Sequence, residues 1–428
     1  MAEPRALVID GAQIIDGTGA PPVPDGRVVI RGDRIVEAGP RPLVPLPEGA
    51  DVIDGTGRTV LPGLIDMHVH DPSPANLALY VRNGVTSIRF AGGQQRDLLA
   101  LRERVERGEL VGPRIFSVGS GVDSTPHAWP GSHAADSPIE ARRLVRRMVE
   151  VERVDAILAT HRVRPAVLAA ICETAHELGV PVTGQLWETD AHEATGAGID
   201  GLENTSRIPE SSVSGERLFA HRSVSERIAL LTQLWAAADR TRTGELAHLL
   251  AERAVALAPE LVSFEAWAGI STTEVEADPD WPSDPGDPQV AGYRRHNAYI
   301  SKDYTAEDRA IQPAALERYA EFCRVFHDAG GPLVAGTDLS FGGILLHREL
   351  RLFRAAGLTA TQAIRTATRQ AASALGRDDL GFLQAGRTAD LIVVRGDPLA
   401  DLAALRRVEH AFIGGRRVAS AEPTEATR

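Results

Sequence analysis

The sequence predicts an α/β protein: a closed barrel of eight strand-helix units, a (β/α)8 TIM barrel, with a composite β-sandwich built from both chain ends. Three observations carry this prediction. Residues 6–60 break into short strand-like runs separated by Asp-Gly turns. From residue 60 the rhythm changes to strand, loop and helix and repeats over about 300 residues, the pattern of a parallel sheet. Two later strand-like runs, 390–394 and 410–418, are expected to return to the sheet begun at residues 6–60. The expected division is therefore 1–61 with 384–428 for the sandwich and 62–383 for the barrel.

The elements follow in order. Ala6 to Ile9 runs into Asp10-Gly11, and the runs 27–31 and 34–38 flank Gly32-Asp33, a two-residue hairpin signal. Residues 39–49 are dense in Pro and Gly and read as a surface loop. Val60 to Val69 reads as the first buried strand. Helices closed by Gly84, Gly108 and Gly179 then alternate with strands at 85–90, 114–118, 154–159, 180–186 and 199–203. Two helical segments, about 223–239 and 243–257, precede a strand expected at Leu261 to Phe264. Residues 271–305 carry a Pro/Asp-rich stretch and are expected to cross the barrel mouth as a lid. Helix resumes near Ala314, and Pro332 to Ala335 reads as the last barrel strand, ending in Gly336-Thr337-Asp338.

Composition narrows the function classes. The chain of 428 residues is 43% hydrophobic and 24% charged, with a net charge of −12 spread along it. Such a surface argues against nucleic acid or an anionic membrane as partner and leaves a small molecule. Cys172 and Cys323 are the two cysteines, which fits a reducing compartment and no disulfide framework. No basic start precedes an apolar core, and no run of about 18 apolar residues occurs, so a soluble, cytoplasmic protein is expected. A homo-oligomer stays open.

The chemistry centres on Gly63-Leu64-Ile65-Asp66-Met67-His68-Val69-His70. Alternate side chains of a strand share a face, so His68 and His70 reach one point while Val69 turns away. Two imidazoles on a rigid strand end make half of a divalent-metal site. Phosphate loops, paired zinc-finger cysteines and nucleophile elbows are not found in the sequence.

With these motifs on the page, the chain resembles the amidohydrolase superfamily, in its imidazolonepropionase and Xaa-Pro dipeptidase-like branch. The resemblance rests on Asp16-Gly17-Thr18-Gly19, Pro62 to His70, Gly336-Thr337-Asp338, Leu346-His347-Arg348-Glu349-Leu350 and Ala389-Asp390-Leu391-Ile392-Val393-Val394. It implies a barrel with a flanking sandwich. It also implies a metal centre of His-x-His on strand one, a carboxylated Lys on strand four, His on strands five and six, and Asp on strand eight. His68, His70 and Asp338 match. Leu158 stands in place of the Lys, Gln185 in place of the strand-five His and Asn204 in place of the strand-six His.

Leucine forms no carbamate, and neutral amides are poor ligands for zinc or iron. The second metal is therefore expected to be absent. One divalent ion is expected on His68, His70 and Asp338, with zinc the first choice and iron or manganese the others. The expected activity is hydrolysis of an amide-like C–N bond by a water on that ion. Asp338 would move the proton, and Gln185 and Asn204 would bind substrate. His127, in the loop after strand three, and His161, just past Leu158, are candidate substrate contacts or replacement ligands. Glu203 reads as a barrel residue turned away from the pocket. Trp187, Trp267 and Tyr293 read as core unless they reach the mouth. The alternatives are a repurposed isomerase, cyclase or lyase of specialised metabolism, or an inactive ligand-binding homologue.

Overall fold

The computed structural model describes residues 5–92, 98–129, 131–205, 207–212, 223–267, 276–277, 281, 284, 287–339 and 341–420. Strands β1 (Leu7–Ile14), β2 (Val23–Arg31) and β3 (Arg34–Pro40) form an antiparallel meander, reversing at Gly32-Asp33. Strands β4 (Asp51–Asp54) and β5 (Arg58–Pro62) then run parallel to β1.

The chain next builds parallel strands. β6 (Leu64–Val69), β7 (Val85–Phe90) and β8 (Arg114–Ser117) make one sheet, and every residue of β6 and β7 is buried. The second parallel sheet holds β9 (Val122–Asp123), β10 (His133–Ala134), β11 (Ile157–His161), β12 (Val182–Leu186), β13 (Gly201–Glu203) and β14 (Ala256–Ala258), in the order β10-β9-β11-β12-β13-β14. Helices between them present one apolar face. In Pro138–Glu150, Ala141, Leu144, Val145 and Met148 are buried, and a Ser137/Glu140 capping box fixes the start.

Backbone bonds join the two parallel sheets at both edges. Asp155 N donates to Ser117 O at 2.7 Å, next to β8. Val334 N donates to Leu257 O at 2.9 Å, and Met67 N to Ala335 O at 3.0 Å, so residues 333–335 lie between β14 and β6. Finally β15 (Leu391–Arg395), β16 (Val408–Ile413) and β17 (Arg416–Ser420) complete the first sheet, in the order β17-β16-β15-β5-β1-β2-β3 with β4 on β1. Ile9, Ile14, Val28, Val60, Leu391 and Phe412 form its core. The sheet thus draws strands from both ends of the chain.

Three readings of the sequence change. The run 60–69 is two strands, not one: β5 belongs to the first sheet and β6 to the parallel set. The break falls at Pro62-Gly63, where proline cannot donate and where a Cβ on Gly63 would lie 2.0 Å from Thr86 Oγ1. Leu261–Trp267 is a helix, and the strand lies earlier at β14. A short apolar run does not distinguish the two states. Here the Glu349 carboxylate decides, accepting the backbone N–H groups of Leu261 and Val262 at 3.1 and 2.7 Å and satisfying the first turn. Residues 332–335 make a single bridge and backbone bonds rather than a full strand. Most of 271–286 lies outside the described residues. The remainder of the expected excursion is the helix Pro288–Ile300 and its following turn.

Gly63→Ala is expected to destabilise by about 1–3 kcal/mol through overpacking, and Thr86→Ala should recover most of that loss. Urea unfolding of the two single variants and the double variant checks this. An unchanged midpoint for Gly63→Ala would remove the close approach as a constraint.

Candidate functional site

Strand β6 delivers His68 and His70 to one place. Their Nε2 atoms are 3.0 Å apart, and their rings meet edge-on with centroids at 4.9 Å. Asp338 N donates to His68 O at 2.9 Å. That bond sets the Asp338 Oδ1 2.8 Å from His70 Nε2 and 3.2 Å from His68 Nε2. Asn204, at the end of β13, donates Nδ2 to the second oxygen, Oδ2, at 3.4 Å.

His68 is completely buried and works on both sides. Its Nδ1 faces two carboxylates, Glu203 Oε2 at 2.5 Å and Glu260 Oε1 at 2.9 Å. Arg89 closes the arrangement from below, donating to Glu203 Oε1 at 2.5 Å, Thr183 Oγ1 at 2.9 Å and Met67 O at 2.7 Å. Burial works to raise the Glu203 pKa, but the Arg89 guanidinium and then His68 outweigh it and hold the carboxyl down at about 2. Burial pushes Glu260 up to about 8, against the pull of His68.

Burial opposes charge on His68, but Glu260, Asp338 and Glu203 outweigh it and raise its pKa well above the usual imidazole value, so the carboxylates around this ring favour positive charge. Three donor atoms within 3.2 Å of one another, two imidazole nitrogens and a carboxylate oxygen, are then complementary to a cation. The donor set is one that zinc and other divalent transition ions take.

The backbone at this place is unusual. Asn204, Glu260 and Asp338 all have positive φ, at 55°, 53° and 53°. Non-glycine residues rarely adopt this region, and such positions concentrate at functional sites.

A cavity of about 350 Å³ opens beside His70 and Asp338. Leu158, Gln185, Asn204 and His161 all line it, as do Trp187, Trp267 and Tyr293. Strand β11 runs three residues past Leu158. Thr160, not Leu158, pairs with Gln185, and Leu158 packs with Ala91, Val118 and Ala156. His127 departs from expectation: it is exposed and does not line the cavity. Asp136 holds the neighbouring Thr125 by its N and Oγ1 at 2.8 and 2.6 Å, and Trp129 is the loop residue that reaches the cavity.

His161 is fully buried and tilted against Trp187, with ring centroids 3.6 Å apart and 6.2 Å from Trp129. Burial, reinforced by Arg227, lowers its pKa to about 3. His347 Nε2 donates to Asn83 O, 2.9 Å away, in the core.

Sequence reasoning missed three residues. Glu203 turns inward onto His68 instead of away from the site. Glu260 follows β14, but the apolar run 261–264 drew the strand assignment past it. His296, on Pro288–Ile300, lines the cavity, and burial lowers its pKa while Asp338 opposes the shift. Nothing in its local sequence marks it.

Residues 289–418 match the model of the Amidohydrolase family. An imidazolonepropionase of Cereibacter sphaeroides is 26% identical over 412 residues, covering 91% of this chain and 93% of the relative. Among solved structures, a Xaa-Pro dipeptidase with bound methionine in its active site superposes with a TM-score of 0.70 at 20% identity, covering 96% and 99% of the two chains. A bottromycin amidohydrolase gives a TM-score of 0.75 at 20% identity, covering 97% and 87%. The chain is thus similar to members of the amidohydrolase superfamily in sequence and in fold.

A neutral His161 carries a pH signature. Its folded pKa of about 3 lies below the usual imidazole value of about 6.5. Between these values the unfolded chain binds more protons, so this residue's contribution is present above about 6.5 and is lost as pH falls toward 3. His161→Phe is therefore expected to flatten the acid limb of the stability curve by on the order of 2 kcal/mol at pH 4 relative to pH 7. Chemical denaturation of both proteins across pH 4–7 measures it. Parallel curves would show that His161 is not held neutral.

Proposed function

We propose that this protein hydrolyses an amide-like C–N bond of a small molecule at a single divalent metal held by His68 Nε2, His70 Nε2 and Asp338 Oδ1. The observation that carries this reading is the convergence of those three atoms, 2.8–3.2 Å apart, at the edge of the cavity. The superfamily's fold supports it, and with it a (β/α)8 barrel over 62–383 and a sandwich over 1–61 and 384–428. The backbone bonds at both edges of the parallel strands agree with a closed barrel. A lid formed within 271–305 remains part of the proposal, since the helix Pro288–Ile300 contributes Tyr293 and His296 to the cavity.

When bound, such an ion acidifies a water and polarises the scissile carbonyl. The chain's own residues supply the rest. Asp338 accepts the proton at a carboxylate oxygen and returns it to the leaving nitrogen. Asn204 Nδ2 holds Asp338 Oδ2 and keeps the carboxylate in place. Gln185 presents an amide to the substrate carbonyl. Glu203 and Glu260 fix the His68 ring through Nδ1, as carboxylates behind a metal-binding imidazole do. Leu158, Gln185 and Asn204 offer no strong ligands, so a second ion is not part of the proposal.

Metal content per chain, measured by mass spectrometry on protein purified without chelator, is expected to be one equivalent of zinc, iron or manganese. Two equivalents would overturn the single-ion reading, and none after reconstitution would overturn metal-dependent hydrolysis. His70→Ala is expected to lose the metal while remaining folded, because His70 is the exposed member of the triad. Glu260→Gln should weaken metal affinity about 10–100-fold in a chelator competition. Undiminished affinity in that variant would show that Glu260 does not support His68.

A further inference from the structure

The cavity wall away from the metal ligands is aromatic and uncharged. Trp129, Trp187, Trp267 and Tyr293 line it, with aliphatic faces from Ile228 and Leu231. Among the described residues no Lys or Arg lines it, and Asp338 is its one carboxylate. The nearby guanidinium of Arg227 is engaged over the Trp187 ring, 4.0 Å from its centroid.

These features define a substrate class, resting on the amide-hydrolase reading above. We propose that the substrate is a compact, uncharged amide carrying an aromatic or cyclic apolar group. That group lies against Trp129 and Trp187. Size agrees: the volume holds roughly two benzene-sized groups, since about 150 Å³ accommodates one. Charge agrees as well. A free carboxylate on the apolar wall would lose water without gaining a counter-ion among the described lining residues. The preference is thus opposite to that of a site built for a charged amino-acid terminus.

The test reads binding rather than turnover. Isothermal titration of the protein as isolated compares N-benzylacetamide with its anionic analogue 4-(acetamidomethyl)benzoate. The neutral amide is expected to bind at least about tenfold tighter, and Trp129→Ala and Trp187→Ala should each weaken it about three- to tenfold with metal content unchanged. Equal or tighter binding of the benzoate, no measurable binding of either compound, or wild-type affinity in both tryptophan variants overturns the proposal. If Trp187→Ala does not fold, Trp129→Ala decides alone. Selective binding without metal or turnover would sink the hydrolase reading and leave this one. Hydrolysis confined to anionic amides would do the reverse.

Discussion

The fully buried imidazole of His68 is the interaction on which the site depends. One nitrogen meets two carboxylates in the interior and the other meets His70 and Asp338 at the cavity. Its main-chain oxygen accepts the Asp338 N–H, so the same residue positions the carboxylate that joins it. A ring held from both sides has one useful orientation. The surrounding strands make that orientation possible by bringing Glu203 from β13 and Glu260 from just beyond β14 to a point behind β6.

Burying several carboxyl groups together demands compensation. Arg89, itself buried, supplies it through Glu203, Thr183 and the Met67 carbonyl. Asp66, one residue behind Met67 on the same strand, has no guanidinium. Burial drives its carboxyl up to about 7, and Thr337 Oγ1 donates to it at 2.9 Å. The strand-one motif is therefore built in depth, with a histidine pair at the cavity, a charged pair beneath and a hydroxyl-bound acid behind.

Much of this was legible in the sequence. The Asp-Gly turns placed the N-terminal meander, and the strand-helix alternation placed the parallel strands. The pairing of His68 and His70 followed from period-two geometry, and Asp338 joined them through the family resemblance that Gly336-Thr337-Asp338 carries. Other parts were not legible, for physical reasons. The split of 60–69 depends on Gly63 meeting Thr86, a contact between separate strands. Helix at 261–267 depends on Glu349 reaching its first turn from far along the chain. Glu260 and His296 lack any local spacing signal, because their roles come from where loops and helices return. His127 and Trp129 sit two residues apart in one loop, and only the loop's path decides that the indole, not the imidazole, turns to the cavity.

The left-handed backbone at Asn204 bears on how this site diverged. The resemblance puts a histidine of the superfamily at that strand end. Asn, Asp and His are the side-chain-bearing residues that tolerate this conformation best. With φ at 55°, a lineage that gave up the imidazole here had few successors open to it short of glycine, and asparagine is among them. Glycine would have relaxed the main chain but left Asp338 Oδ2 without its amide donor. The amide at 204 is thus a side chain that the main-chain torsion allows and the neighbouring carboxylate uses.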